Sequence, residues 1–334
     1  MKFPIAVFFV ALMLGACASD PPQPDWIAGN SKSYSSAQYL IGHGMAATQE
    51  EAKDRARADL SKIFQVAVVA ESEDSQKFKN EPAGVTTGQY ETASSRHIST
   101  RTEQIIRGIQ IAELWQDPLT HTYYALAILP RLQTAASLRQ QISQLDEATK
   151  NYIEQSRLSS DLFLQIATAT RALESQQERA GLQQSLQIVD ATGQGVVSPW
   201  NSAVLKADRD ELIKRVRLVP QVSADAPPGL AEAVAGALAQ AGFMITPGQN
   251  AEYLLQARMN LTDLGLKEGW YWQRGDLEIT LSEAASGRIR GTQHWPIKSN
   301  APDRETAIKR AMDQAGIILN QNLGAAIVNM ANSR

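Results

Sequence analysis

The sequence contains little of the material from which disulfides, metal sites and nucleic-acid surfaces are built. It has a single cysteine, Cys17, and four histidines in 334 residues. One cysteine excludes an intramolecular disulfide, and histidines without H-E-x-x-H or paired spacing favour no metal site. A net charge of −3 argues against the basic surface that nucleic-acid binding requires. We therefore expect no metal, no other cofactor and no nucleic-acid partner.

Glycine, proline and long apolar runs are also scarce. Glycine and proline contribute 21 and 14 residues, which excludes a collagen-like or globally disordered chain. The only long apolar run, residues 5–16, is shorter than the roughly 20 residues that a membrane-spanning helix needs. Lys2 precedes this run, as in the charged start of an export signal. We expect residues 1–16 to be a cleaved signal peptide.

The apolar run ends in Leu14-Gly15-Ala16-Cys17, which resembles a bacterial lipobox. In that motif small side chains let the extended backbone enter the signal peptidase, and the cysteine thiol accepts diacylglycerol. Cleavage before Cys17 frees an α-amine for a further acyl chain, and each buried CH₂ contributes about 0.8 kcal/mol of anchoring. The alternative is an ordinary signal peptide cleaved after Ala16. The position of the sole cysteine favours lipid attachment at Cys17.

The residues after the cysteine indicate where the protein resides. Residues 17–24 comprise Cys17 and a tether with three prolines, which would extend about 20 Å from the bilayer. In lipoproteins of this kind an aspartate after the cysteine favours retention in the inner membrane, whereas this chain has Ala18. We expect a lipid anchor in the outer membrane, with the protein facing the periplasm.

The pattern of the remaining chain predicts an α+β protein. Two small domains, at residues 25–131 and 200–334, would each pack helices on a mainly antiparallel sheet, and a helical segment at 132–190 would join them. In the first domain we predict a strand at 39–41 ending at Gly42-His43-Gly44, a helix at 48–70 that starts with a Thr48–Glu51 capping box, a loop at 71–96, and strands at 98–115 and 122–129.

Two long helices and a sheet are predicted after residue 130. Residues 131–187 lack proline and carry a heptad-like apolar seam, with a second helix capped near Asp161. The two helices would be kinked or folded as a hairpin, with the seam facing a core rather than a coiled-coil partner. The last domain is predicted to have strands at 216–219, 243–245, 252–261, 270–281 and 288–297 and helices at 229–240 and 301–329, the last capped by Asn300 with Asp303 at its third position.

The first domain resembles the LPP-twenty family of bacterial lipoproteins. The residues that carry the resemblance are Pro24-Asp25-Trp26-Ile27, residues 39–46 (YLIGHGMA), Glu51-Ala52, Ala56 and Ala58 on the first helix, Trp115 and residues 123–131 (YYALAILPR). This domain is also similar to the N-terminal domain of a flagellar outer-ring assembly protein, and the second half resembles small α/β domains of other periplasmic lipoproteins. Members of the family are secreted or outer-membrane proteins without a known shared catalytic site. The resemblance implies an interaction or structural role in the envelope.

One motif could suggest an enzyme. Gly42-x-Gly44-x-x-Ala47 matches the dinucleotide-binding fingerprint after a strand. A following helix of about 23 residues and the lack of a second parallel strand ending in an acid argue against nucleotide binding. We instead expect the glycines to form a tight turn that brings Trp26 and the helix onto the sheet. No G-x-S-x-G nucleophile motif occurs, so we predict neither an enzyme nor a small-molecule substrate.

Residues Trp270, Tyr271, Trp272 and Arg274 form a candidate partner surface. On a strand both tryptophans and the arginine share one face, and Tyr271 points the other way. These residue types are frequent at the energetic centres of interfaces. Packing in the core or within a hairpin is the preferred interpretation, and it would need a turn or bulge at Gly275.

Three functional hypotheses follow from the sequence. The first is a non-enzymatic, lipid-anchored outer-membrane lipoprotein with an envelope structural or assembly role, for example in flagellar or secretion machinery. The alternative is a regulatory binding module for a periplasmic enzyme such as a cell-wall synthase, and the third is an enzyme of unrecognised type. The expected partners are the lipid bilayer, through acylated Cys17, and an envelope protein.

Overall fold

A computed structural model describes residues 23–29, 31–77, 108–245 and 250–332. The signal peptide, Cys17 and most of the tether lie outside the described residues, as do residues 78–107 of the predicted loop and strand. The chain divides into two compact units. The first comprises residues 1–63 and 108–130, and the second comprises residues 64–107 and 131–334.

The first unit is a three-stranded antiparallel sheet with a helix. Its elements are a short 3-10 helix (Asp25–Ala28), strands β1 (Tyr39–Ala46), β2 (Gln110–Gln116) and β3 (Tyr123–Pro130), in the order β1-β3-β2, and the part of helix α1 (Gln49–Lys77) that precedes residue 64. The Thr48 hydroxyl accepts a hydrogen bond from the Glu51 amide at 3.3 Å, as the capping pattern predicts. Because α1 continues to Lys77, the loop predicted from residue 71 is wrong at its start.

The two glycines of the nucleotide-like motif lie within a strand. Strand β1 continues through Gly42 and Gly44 to Ala46, so the predicted strand end and tight turn are wrong. A Cβ at Gly44 would lie 1.9 Å from the backbone oxygen of Ala52 in α1, and a Cβ at Gly42 would lie 2.5 Å from that of Ala56. The glycines therefore let the helix lie directly on the strand.

Trp26 covers the other face of this sheet. Its side chain is buried with Leu126 and Ile128, and its ring stacks on His43 at 6.4 Å between centroids. The indole Nε1 donates a hydrogen bond to Glu113 at 2.6 Å, which satisfies the polar atom that burial would otherwise leave unpaired.

The second unit begins with two long helices, α2 (Arg131–Leu158) and α3 (Leu162–Val189). They fold as a hairpin, since Asp146 of α2 forms an ion pair with Arg179 of α3 at 2.8 Å, and Gln176 donates to Thr149 at 2.8 Å. Asp161 caps α3 as predicted. The hairpin therefore contains a buried polar network as well as apolar contacts.

A five-stranded sheet and three helices complete the second unit. The strands are β4 (Arg217–Val222), β5 (Met244–Ile245), β6 (Tyr253–Lys267), β7 (Trp270–Glu283) and β8 (Ile289–Ala301), in the order β5-β4-β6-β7-β8, and the helices are α4 (Ser202–Lys214), α5 (Leu230–Gln240) and α6 (Arg304–Asn332). Strand β4 is parallel to both neighbours, and the other pairs are antiparallel. The described chain thus has the predicted α+β class, with two mostly antiparallel sheets.

Two helix starts in this unit differ from the prediction. Helix α4 was not predicted, although Asn201 caps it by accepting a hydrogen bond from the Ala203 amide at 2.9 Å. The predicted cap at Asn300 is wrong, because Asn300 belongs to β8 and α6 begins at Arg304. Asp303 accepts from the Thr306 amide at 2.8 Å and takes that role.

The core of the second unit lies on one face of the five-stranded sheet. Alternate residues of the central strands are buried there against helices α3, α5 and α6. The buried strand residues are Leu255, Ala257 and Met259 in β6, Leu277, Ile279 and Leu281 in β7, and Ile297 in β8. The intervening residues of β7, including Trp270, Trp272 and Arg274, therefore lie on the opposite face.

Candidate functional site

The four residues of the predicted partner surface lie in a long β-hairpin formed by β6 and β7. Lys267 pairs with Trp270, so only Glu268 and Gly269 form the turn. Both turn residues have positive φ, 53° and 81°, as a type I′ turn requires. We call residues 263–272, which surround this turn, the hairpin tip. It is paired backbone rather than a loose loop.

The hairpin tip exposes three large apolar side chains. Leu264, Leu266 and Trp270 are 40%, 59% and 41% exposed. Trp272 is partly buried, and the Lys298 ammonium of β8 lies 5.0 Å from its ring centroid. Neither tryptophan belongs to the apolar core beneath the sheet, and packing of Trp272 within the hairpin stays a prediction.

The alternation of side chains along β7 follows the prediction. Gln273 is buried on the side of the helices, whereas Arg274 is exposed on the face that carries Trp272. The turn or bulge that the packing interpretation would need at Gly275 is absent, because β7 pairs without interruption there. The register instead shifts in β6, between Asp263 and Leu266. A Cβ at Gly275 would lie 1.9 Å from the Asn260 oxygen, so this glycine allows a close approach of β6.

Positive charge borders the exposed apolar side chains. Arg274 and Lys298 are register partners across β7 and β8, a like-charge pair that is unfavourable in an antiparallel sheet. Within the described ranges, neither they nor Lys267 has an acidic group within ion-pair distance. Arg304 neutralises Asp263 at 2.6 Å. The hairpin tip and its neighbours thus carry unpaired cations that an anionic partner would stabilise.

Farther along the same face of β7, two acidic side chains lie close to a histidine of β8. His294 lies 2.8 Å from Asp276 and 3.9 Å from Glu278. The hydrogen bond with Asp276 raises the pKa of His294 above 6.5, and the charges of both carboxylates act in the same direction. Positive charge therefore lies near the tip, and the carboxylates lie farther along the face.

Leu264, Leu266, Lys267 and Lys298 were not predicted as site residues. Two signals in the sequence point to them: the Glu268-Gly269 dipeptide between apolar runs is typical of a hairpin turn, and leucines on both sides of Gly265 interrupt the polar alternation. The pairing of Lys298 with Arg274 depends on the register of two strands, which the sequence does not reveal.

A pocket of about 810 Å³ lies elsewhere in the second unit, beside the turn between α2 and α3. Arg290 binds Asp161 at 2.9 Å and Glu283 at 3.2 Å, and Arg217 pairs with Glu252. Burial would raise the pKa of the Asp161 carboxyl, but hydrogen bonds from Arg290 and from α3 amides lower it overall. These carboxylates are held as ion-pair partners in a network that joins the helical hairpin to the sheet.

The part of the chain that the structure describes contains neither a candidate metal site nor a candidate membrane span. There, no three histidine, cysteine, aspartate or glutamate side chains are grouped so that they could hold a metal ion. No helix in that part is both long and apolar enough to cross a membrane. Lipid attachment at Cys17 stays a prediction, since that residue lies outside the described ranges.

The first part of the chain is similar to a known family. Residues 24–129 match the family model of the LPP20 lipoproteins, which confirms the predicted resemblance. No curated protein matches the sequence.

Three solved structures are similar to this chain at low identity. A secreted protein of Helicobacter pylori is 12% identical, with a TM-score of 0.43 over 84% of this chain and 96% of its own. A minor lipoprotein of Acinetobacter baumannii is 16% identical, with a TM-score of 0.25 over 36% of this chain and 95% of its own. Rare lipoprotein B of Shewanella oneidensis is 17% identical, with a TM-score of 0.24 over 34% of this chain and 98% of its own.

Proposed function

We propose that this protein is a lipid-anchored lipoprotein of the bacterial outer membrane with a non-enzymatic role in envelope structure or assembly. The observation that carries the proposal is the match of residues 24–129 to the LPP20 lipoproteins, which begins seven residues after Cys17 of the sequence Leu14-Gly15-Ala16-Cys17. Acylation of Cys17 supplies the anchor, because two or three chains hold a protein at a bilayer far more firmly than one. Ala18 favours the outer membrane, and the proline-rich tether keeps the first domain near the periplasmic surface.

The chemistry of the pocket supports a role other than catalysis. A carboxylate that acts as a general base at neutral pH usually has a raised pKa. In this pocket the pKa values of Asp161 and Glu283 are instead lowered overall, by hydrogen bonds and by nearby arginines, against the opposing effect of burial. Such groups stabilise a fold or bind a partner and are poor acceptors of a substrate proton.

A test of the anchor compares the parent protein with Cys17→Ser in its native host. We expect the parent to incorporate labelled palmitate and to sediment with the outer membrane, and the variant to lose both properties. Ser19→Ala, two residues away, is the matched control and should behave like the parent. Ala18→Asp should move the acylated protein to the inner membrane. Palmitate label on Cys17→Ser, or a free thiol on the mature parent protein, would contradict the proposal.

The second candidate function is a regulatory binding module for a periplasmic enzyme such as a cell-wall synthase. The exposed Trp270 and Arg274 favour it, because these residue types often dominate binding energy at interfaces. Photo-crosslinking from position 262, the exposed register partner of Arg274, separates the candidates in living cells. Recovery of one synthase would support the regulatory module, whereas recovery of a multiprotein envelope assembly would support the first proposal.

A further inference from the structure

The hairpin tip holds apolar side chains in water on a rigid support. Leu266 pairs with Tyr271 and Lys267 with Trp270, so the exposed side chains project from backbone that is hydrogen-bonded up to the turn. Scattered exposed leucines need no explanation, but several large apolar side chains around one turn mark an interaction site. The partner must therefore offer an apolar layer that a narrow turn can enter.

The residue types at the tip match the boundary region of a bilayer. Tryptophan is enriched at membrane–water interfaces, since its ring is apolar and its N–H is polar. Trp270 stands next to the turn on the same face as the partly buried Trp272, and the exposed Leu266 lies on the other face, opposite Tyr271. An insertion of one turn into the headgroup region would remove Leu264, Leu266 and Trp270 from water together.

The charges behind these side chains favour an anionic surface. Arg274 of β7 and Lys298 of β8 are register partners on adjacent strands, and neither has an acidic partner among the described residues. Lys267 lies at the turn. Lipid phosphates would relieve this like-charge contact by charge-assisted hydrogen bonds. Of the two acids in the tip, Asp263 is paired with Arg304, and Glu268 forms no ion pair in the described structure; its single negative charge opposes binding only weakly against the three cations.

We propose that the hairpin tip is a second membrane contact of this protein. It inserts Leu264, Leu266 and Trp270 at the surface of an anionic phospholipid bilayer and places Lys267, Arg274 and Lys298 against the headgroups. The inference rests on the proposed function, because acyl chains on Cys17 would keep the protein at a bilayer and so raise the effective lipid concentration at the tip.

The test uses the chain from residue 17 with Cys17→Ser, which cannot carry acyl chains. Its co-sedimentation is measured with vesicles of phosphatidylcholine and phosphatidylglycerol, and with vesicles of phosphatidylcholine alone. Binding should be stronger to the anionic vesicles. The triple variant Leu264→Ser/Leu266→Ser/Trp270→Ser should bind at least about tenfold more weakly to both. The matched control is Leu158→Ser, which replaces a leucine that is 86% exposed elsewhere in the same unit.

A second variant separates the charge from the apolar contribution. The variant Arg274→Gln/Lys298→Gln should bind anionic vesicles about tenfold more weakly than the parent does. Its binding to anionic and to neutral vesicles should therefore be nearly equal. Lys150→Gln, an exposed change on α2, is its control. Thermal unfolding midpoints equal to that of the parent show that the variants fold, and quenching of Trp270 by brominated lipid reports insertion directly.

Two results would overturn the inference. One is equal vesicle binding by the parent and the triple variant. The other is an absence of vesicle binding together with capture of an envelope protein that the triple variant no longer captures. Because the acyl chains are absent from this experiment, its failure would leave the anchor at Cys17 intact. Failure of the Cys17→Ser fractionation would likewise leave the vesicle result intact.

Discussion

Replacing Asp161 with alanine should destabilise the second unit by about 2 kcal/mol. This carboxylate makes two kinds of contact. Its Oδ1 accepts hydrogen bonds from the amides of Phe163 and Leu164 at 2.9 and 3.3 Å, and its Oδ2 binds Arg290 of β8 at 2.9 Å. One side chain therefore caps helix α3 and ties it to the sheet.

The magnitude is the sum of two modest contributions. Loss of an N-cap side chain costs about 1 kcal/mol. The ion pair adds about 0.5–1 kcal/mol, because the Asp161 side chain is 34% exposed and the pair is screened by solvent. Arg290 keeps Glu283 as a partner, so its charge is not stranded in the variant. Asp161→Asn retains an acceptor for the cap and should lose only the second contribution.

Urea unfolding of the parent, Asp161→Ala and Asp161→Asn measures both contributions. Amide hydrogen exchange at Phe163 and Leu164 shows whether the first turn of α3 opens in the alanine variant alone. The lowered pKa of Asp161 adds a pH signature: its ionic contribution is present above the unfolded value of 3.8 and is lost as pH falls through the lower folded value. A loss below about 0.5 kcal/mol for Asp161→Ala, or equal losses for both variants, would refute this account.

Two further predictions concern the sheets. Gly44→Ala should destabilise the first unit by about 3 kcal/mol in urea unfolding, because the added Cβ meets the Ala52 backbone oxygen. Gly316→Ala, where a Cβ meets nothing within 4 Å, is the control and should be neutral or stabilising; equal losses would contradict the close-approach explanation. The NMR titration midpoint of His294 should lie above 6.5 and fall in Asp276→Asn. Stability from this pair is present below 6.5 and lost as pH rises through the folded pKa. An unchanged midpoint would exclude Asp276 as the main cause.

Local patterns in the sequence were sufficient to predict most of the helices and strands. Thr48 with Glu51 and Asp161 with its following apolar run marked helix starts that the structure contains, since a cap acts within one turn. The overlooked helix α4 has such a signal at Asn201. The helix cap was predicted at Asn300 and not at Asp303 because strand β8 and helix α6 adjoin there. Only the backbone hydrogen bonds show where the strand ends and where the helix begins.

The structural roles of Gly42, Gly44 and Gly275 depend on contacts with residues that are distant in the sequence. Glycine is suited both to a tight turn and to a close approach of another backbone segment. The atoms that surround the glycine in the fold show which of the two applies. At all three positions those atoms belong to an element that the chain reaches elsewhere, α1 for the first two and β6 for the third. The sequence alone therefore favoured a turn where the fold has continuous strands.

By itself the sequence determined the α+β class and the LPP20-like first domain, and it predicted lipid attachment at Cys17, because each of these rests on local periodicity or on a short run of residues. The tertiary structure alone decided that Leu264, Leu266 and Trp270 share an exposed hairpin tip and that Arg274 faces Lys298. The physical reason is that strand register and burial are set by packing between residues far apart in the chain, and these determine which side chains meet water and which meet one another.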